Sequence, residues 1–370
     1  MSGTRFPRGA ASGLPDLAQH GTPIFVTGPC GAGKTTLLIE TADALRAQGW
    51  EPAYLDLMGA ASSPERFVRT AVQSLPGIVR EERAPVIARI LGHARGGKDH
   101  AADGVHALFD LWSGLDEAGG RPIALFLDEA TEIRSLAYFA GLRDVDAPFL
   151  AALSARSRGT VLATSMPTAA RRLWPAISTL PLEPIAAREL SSSLSGAGVG
   201  GETARLTQAA FGLPCYLDVL LDAVRGSGDV ERAWTSGMAR GGRLERLCRH
   251  TYETLLLRSR GYGMSKAVLG AVAEEEGLNL TALVARLGRS PGAIRDYLGW
   301  LLGVDALHMV GKRYFYVDGM VRWWVRLHGG GTIPTDAQLD AAARAVMAGA
   351  AVEPALAAAS RRNERLMEID

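Results

Sequence analysis

The chain has 370 residues, of which 47% are hydrophobic and 21% charged, with a formal net charge of +1. That length predicts two or three domains, and that balance describes a globular protein and excludes a disordered one. Near-neutral charge excludes a global field drawing the chain to nucleic acid or membrane, and no apolar run reaches membrane-spanning length. Residues 1–20, rich in Gly, Pro, Ser and Arg, are expected to form a loose tail with no signal-peptide core. An apolar strand is predicted at Pro23–Thr27, and a helix begins after it at Thr36.

Between that strand and that helix stands Gly28-Pro29-Cys30-Gly31-Ala32-Gly33-Lys34-Thr35, a full match to the phosphate-loop pattern G-x-x-x-x-G-K-[ST]. A phosphate cradle needs backbone N–H groups turned inward, and small residues let the chain fold that tightly. The following helix, with Thr36 in its first turn, adds its positive end. Lys34 is placed to reach the β- and γ-phosphates of ATP, and the Thr35 hydroxyl to ligate Mg²⁺. Lysine is scarce: the others are Lys98, Lys266 and Lys312. The remaining cysteines, Cys215 and Cys248, lie far from Cys30 and form no C-x-x-C pair or disulfide framework, which predicts a reducing, cytoplasmic setting.

A second strand is expected at Pro52–Leu57, then helices at Pro64–Leu75, Pro85–Ala94 and Gly104–Ala118. Pro122–Glu129 reads as a buried parallel strand ending in two carboxylates. A helix at Pro148–Ala155 leads to strands at Gly159–Ser165 and Ile177–Leu182. The alternation predicts a three-layer α/β core with a largely parallel sheet, its ligand site at the carboxyl ends of the strands. From Ala187 the pattern turns helical, broken by the glycine-rich Gly196–Gly201 and by Phe211-Gly212-Leu213-Pro214.

Four apolar residues followed by Asp128-Glu129 form a Walker B pattern. Asp128 is placed to hold Mg²⁺ through its water shell, and Glu129 to polarise an attacking water. Thr164, ending the next strand, is the candidate sensor of the γ-phosphate or lytic water, with Ser165 as the neighbouring alternative. A cation near the γ-phosphate is sought among Arg156, Arg158, Arg171 and Arg172, with the last two favoured because they follow the sensor strand.

The order of these motifs resembles the AAA+/STAND superfamily, and in particular the prokaryotic ATPases that join an AAA+-type core to a C-terminal winged helix, relatives of the archaeal origin-recognition ATPases. The resemblance spans about residues 20–328 and rests on the P-loop, Leu125-Phe126-Leu127-Asp128-Glu129, Leu182-Glu183-Pro184-Ile185 with Glu189, and Phe211-Gly212-Leu213-Pro214. It implies that Pro214 packs against the adenine base, a role compatible with a helix-starting proline. It implies domains at 21–186 (core), 187–240 (helical lid) and 241–328 (winged helix-turn-helix), with a helix-prone tail at 329–370. The absence of a clear arginine finger or sensor-2 arginine favours a slow nucleotide switch over ring-type hydrolysis.

In the third domain, helices are predicted at Met264–Glu275, Thr281–Leu287 and Pro291–Leu302, followed by a hairpin around Gly311-Lys312. Ser290, Gly292, Arg295 and Arg289 are placed to face a DNA groove, with Lys312 and Arg313 on the wing. The helix is poorly basic and contains Asp296, which leaves a winged helix that packs on its own ATPase core or on a protein partner equally open. Tyr297, Trp300, Trp323 and Trp324 read as core. The expectation is therefore an ATP-binding, slowly hydrolysing switch that places a DNA-binding or protein-binding winged helix. The alternatives are a DNA-binding regulator with negligible turnover and a nucleotide-dependent adaptor. No membrane partner is expected.

Overall fold

The computed structural model describes residues 13–96, 100–194 and 202–349. They form two compact units, one of residues 13–28 and 33–183, the other of 184–349 together with Pro29–Ala32. The expected break at Gly196–Gly201, the first part of the expected tail (1–12) and residues 350–370 lie outside the described residues.

The first unit is built on a six-stranded sheet. Its strands are β1 (Ile24–Thr27), β2 (Glu51–Asp56), β3 (Glu117–Ala118), β4 (Arg121–Asp128), β5 (Thr160–Thr164) and β6 (Ser178–Pro181). The parallel order is β2-β4-β5-β1-β6, and the short β3 runs antiparallel to β4. Central β1 and β5 are buried at every position, as near-continuous apolar runs require when helices cover both faces. The register pairs Asp56 with Asp128 and Thr27 with Thr164, so the polar strand ends line one edge.

The helix Lys34–Ala47 packs against β2, β4 and β5. Between β2 and β3 the chain forms further helices, among them Pro64–Ser74 and Ala101–Ser113. Ser63 caps the first by accepting from the Arg66 N–H. The second was expected to run to Ala118; it stops at Ser113 with Gly114 as its cap, and β3 takes Glu117 and Ala118. Phe67, Phe109, Trp112, Phe149 and Trp174 pack edge-to-face and tilted at 5.7–6.4 Å between centroids. Burying each such ring contributes about 2–3 kcal/mol.

The loose tail expected over residues 1–20 is corrected from Leu14 onward. Leu14–His20 is a helix with Leu14 and Ala18 buried, and the Gly159 N–H donates to the Ala18 carbonyl at 2.8 Å. Leu14 and Ala18 stand four residues apart, on one helix face, and Pro15 suits the first turn. Bulk composition hides that local pattern.

The second unit is mainly helical. Helices Ala187–Leu194, Thr203–Ala209, Pro214–Ser227, Val230–Met238 and Arg243–Arg258 come first. Then come Tyr262–Glu274, Leu280–Leu287 and Pro291–Gly303, with a three-stranded sheet in the order β7 (Leu278–Asn279), β9 (Arg313–Tyr316), β8 (Leu307–Val310). Asn279 and Ser290 cap the helices they precede. β8 and β9 are antiparallel, joined by Gly311 (φ 54°) and Lys312 (φ 64°). Two positive-φ residues form the tight turn whose twist suits a two-residue hairpin. β7 was not predicted, because two residues carry no periodicity. Helices Gly319–His328 and Asp336–Met347 follow, the latter packed on Thr203–Ala209 and Val230–Met238 and started by a capping box at Thr335 and Gln338.

Candidate functional site

The phosphate-loop motif leaves β1 and enters the helix Lys34–Ala47. Gly33, with φ 89°, is the left-handed N-cap, a conformation that side chains with a Cβ rarely adopt. Lys34 is buried, and its ammonium donates to the Gly28 carbonyl at 3.0 Å, which closes the loop at its base. Thr36 lies exposed in the first turn of the helix. Pro29, Cys30, Gly31 and Ala32 group with the second unit, where the Cys215 N–H donates to the Gly31 carbonyl at 3.3 Å.

At the end of β4, Asp128 is only 3% exposed. Its Oδ2 accepts from the Thr35 hydroxyl at 2.6 Å and from the Tyr54 hydroxyl at 2.8 Å, and its Oδ1 accepts from the Glu129 N–H at 2.9 Å. Thr35 and Asp128, 93 residues apart, are thus brought together. A hydroxyl has one proton and two lone pairs. Thr35 commits its proton to Asp128 and turns lone-pair capacity toward a cation, so this donor set fits Mg²⁺. Among the described residues no group of three His, Cys, Asp or Glu is arranged to hold a metal.

Tyr54 was not singled out from the sequence. Burial, and then the Asp128 charge, push its hydroxyl well above the ordinary tyrosine range, so it remains a donor. Asp56, at the end of β2, is also raised, by burial first; the charges of Asp128 and Glu129 add to this, against the N–H bonds it accepts. No local motif marks either residue. Only the pairing of β2 with β4 reveals them.

Glu129 lies just beyond β4 rather than inside it, in a left-handed conformation with φ 47°. A non-glycine residue there costs on the order of 1–3 kcal/mol and persists where surrounding contacts fix it. Here Glu129 Oε2 accepts from both the N–H (3.1 Å) and the hydroxyl (2.8 Å) of Ser165. Thr164, the candidate sensor, is fully buried; its hydroxyl meets Thr131 at 2.7 Å and accepts from the Met166 N–H at 3.0 Å. At the end of β5 it is therefore Ser165 that meets Glu129.

Arg156, one of the four candidate cations, has a different task. Buried to 3% exposure, it donates to Thr160 Oγ1 (3.0 Å) and to the carbonyls of Ile123 (2.7 Å) and Leu115. These groups cluster near the amino ends of β4 and β5, opposite the P-loop edge. Burial brings its guanidinium down to about 10, and it stays charged. Arg158 stacks on Trp50, which precedes β2. Arg171 and Arg172 stand exposed on the helix Pro167–Leu173, which follows β5.

In the second unit, Pro214 begins the helix Pro214–Ser227. Two residues on, the Tyr216 hydroxyl donates to Asp318 Oδ2 at 2.8 Å, while Asp318 Oδ1 caps the helix Gly319–His328 by accepting from the N–H groups of Met320 and Val321. Burial pushes the Asp318 carboxyl up to about 6. On the helix Pro291–Gly303, Gly292, Arg295 and Asp296 are exposed, while Ser290 serves as the cap. Arg289 and Lys312 are exposed, and Arg313 donates to the Gly277 carbonyl at 2.7 Å. Among the described residues no helix is long and apolar enough to cross a membrane.

No protein-family model matches the chain, and no curated protein matches it in sequence. Solved structures do. A Walker-type ATPase of Pyrococcus abyssi matches over 87% of this chain and 96% of its own, with a TM-score of 0.66 at 16% identity. The ORC2 protein of Aeropyrum pernix, solved in ADPNP–ADP complexes, matches over 94% of this chain and 95% of its own, with a TM-score of 0.50 at 16% identity. At that identity the likeness speaks to fold, and it agrees with the strand order and the P-loop: the chain has the P-loop NTPase fold in the form that these two archaeal proteins share.

Proposed function

We propose that the chain is an AAA+/STAND-type ATP-dependent switch that hydrolyses ATP slowly with Mg²⁺ and positions a C-terminal winged helix. The observation that carries this reading is the convergence of Thr35 and Asp128 at 2.6 Å beside a buried Lys34. In this reading the loop from Gly28 to Thr35, with the helix start at Thr36, binds the phosphates, and Pro214 meets the base. Bound Mg²⁺ offsets the charge of the β- and γ-phosphates. Lys34 meets those phosphates, Thr35 and Asp128 hold the metal side, and Glu129 orients the attacking water. Ser165 holds the Glu129 carboxylate and Thr164 supports the β5 end from within, both as positioning residues. A Walker-type ATPase and an ORC2 protein solved in ADPNP–ADP complexes, both with this fold, support nucleotide as the ligand class.

The helices from Tyr262 to Gly303 with the β7-β9-β8 sheet form the winged helix in this reading, and its ligand is DNA or a protein. The fixed Arg313 and the exposed Asp296 favour the protein partner. The exposed Arg289, Arg295 and Lys312 favour DNA. Whichever partner binds, a partner that shifts ATP affinity must itself be shifted by ATP by the same factor.

Isothermal calorimetry tests the reading. Lys34→Ala removes the ammonium that meets the phosphates, and Mg-ATP binding should be lost or weakened by about two orders of magnitude, while the fold, checked by circular dichroism, is kept. Wild-type affinity in that variant would reject the nucleotide assignment.

A further inference from the structure

We infer that Tyr54 is a positioning residue for the metal side of the nucleotide site, acting through Asp128. The inference rests on the switch reading above and goes beyond it by assigning a role to a residue on a strand that carries no nucleotide motif.

Among the described residues β2 is an edge strand of the sheet and pairs only with β4, in a register that sets Tyr54 opposite Phe126 and Asp56 opposite Asp128. Tyr54 therefore starts two residues short of the strand end. Its long side chain covers that gap, and the hydroxyl donates its one proton to Asp128 Oδ2. The same oxygen accepts from Thr35, and the other oxygen accepts from the Glu129 N–H. The carboxylate is held by three donors from three parts of the fold: the P-loop helix, β2 and its own chain. At 3% exposure it has little water to replace any of them.

That arrangement has a directional consequence. Thr35 can present lone pairs to a cation only while its proton has a fixed acceptor. Asp128 Oδ2 is that acceptor, and Tyr54 holds the carboxylate plane against rotation. Without the Tyr54 hydroxyl, the carboxylate swings, Thr35 loses its fixed aim, and the metal loses affinity. Nucleotide without metal is held by loop N–H groups and by Lys34, whereas the Tyr54 hydroxyl meets Asp128 and Thr35 on the metal side. Outer-layer partners of metal ligands are known to tune metal affinity in this way.

The test is a titration of a fluorescent ATP analogue on the full chain, once in EDTA and once against increasing Mg²⁺. Tyr54→Phe removes the hydroxyl and keeps the ring. The Mg²⁺ concentration for the half-maximal signal should rise about tenfold, with affinity in EDTA unchanged. In an Asp128→Ala background, Tyr54→Phe should add no further shift, since the hydroxyl would have no acceptor at that position to hold. An unchanged Mg²⁺ response in Tyr54→Phe would overturn the inference. So would equal losses with and without Mg²⁺, which mark a packing role, or an undiminished shift in the Asp128→Ala background. Failure of the wild-type chain to bind the analogue in either condition would overturn the switch reading itself, and the inference with it.

Discussion

Glu129 combines a strained backbone with a carboxylate held by two donors from Ser165. Accepting two hydrogen bonds from one residue fixes the orientation of that carboxylate. In the proposed mechanism Ser165 thereby sets the direction from which Glu129 can meet the attacking water. Glu129→Gln keeps the shape and removes the base; it should bind Mg-ATP as wild type does and hydrolyse it on the order of 10² times more slowly, measured as single-turnover phosphate release. An unchanged rate would take Glu129 out of the chemistry. At this scale Lys34, Thr35 and Asp128 were legible because each belongs to a contiguous motif whose spacing is set by local backbone geometry. Tyr54 and Ser165 were not, or only as a neighbour of Thr164. Their partners lie 74 and 36 residues away and meet them only once β2, β4 and β5 are side by side. Arg156 shows the same limit from the other side, since no pattern in the sequence separates a buried arginine that ties strand ends together from one that meets phosphate.

Among elements, the five parallel strands of the first unit were foreseen within a residue or two because a covered parallel sheet needs apolar runs, whereas the two-residue β3 was expected to be helical. The helix at Leu14–His20 and the strand β7 were missed because one is masked by its polar, glycine-rich surroundings and the other is too short to show a period. The helix Gly319–His328 begins at the buried Asp318, and there the structure supplies a consequence that spacing does not. The carboxyl titrates near 6 in the folded chain, above its ordinary value of 3.8. The folded state therefore binds this proton more tightly than the unfolded state. Stability from this group is fully present below about pH 4 and is lost as pH rises through about 6. Asp318→Asn, which keeps a capping oxygen and cannot ionise, removes that slope. The melting temperature of wild type minus that of the variant should climb as pH falls from 7.5 to 4.5; a difference that stays flat would show that Asp318 does not titrate in this range.

For the whole molecule, the question is what a nucleotide signal would act on, and the hairpin of the second unit bears on it. Its turn places Lys312 at φ 64°, in a conformation where glycine or asparagine is at ease and lysine is not. One of the four lysines of the chain thus occupies a site that local folding energetics would assign to another residue. Lys312→Gly should raise the stability of the chain by about 0.5–1 kcal/mol in urea unfolding. If the hairpin tip grips a phosphate backbone, the same variant should bind duplex DNA more weakly, with a salt slope lower by about one. If DNA is not retained at low salt by either protein, with ATP or with ADP, the partner is a protein. A variant that melts later and binds less would mark the hairpin as a place where this chain gives up stability for contact.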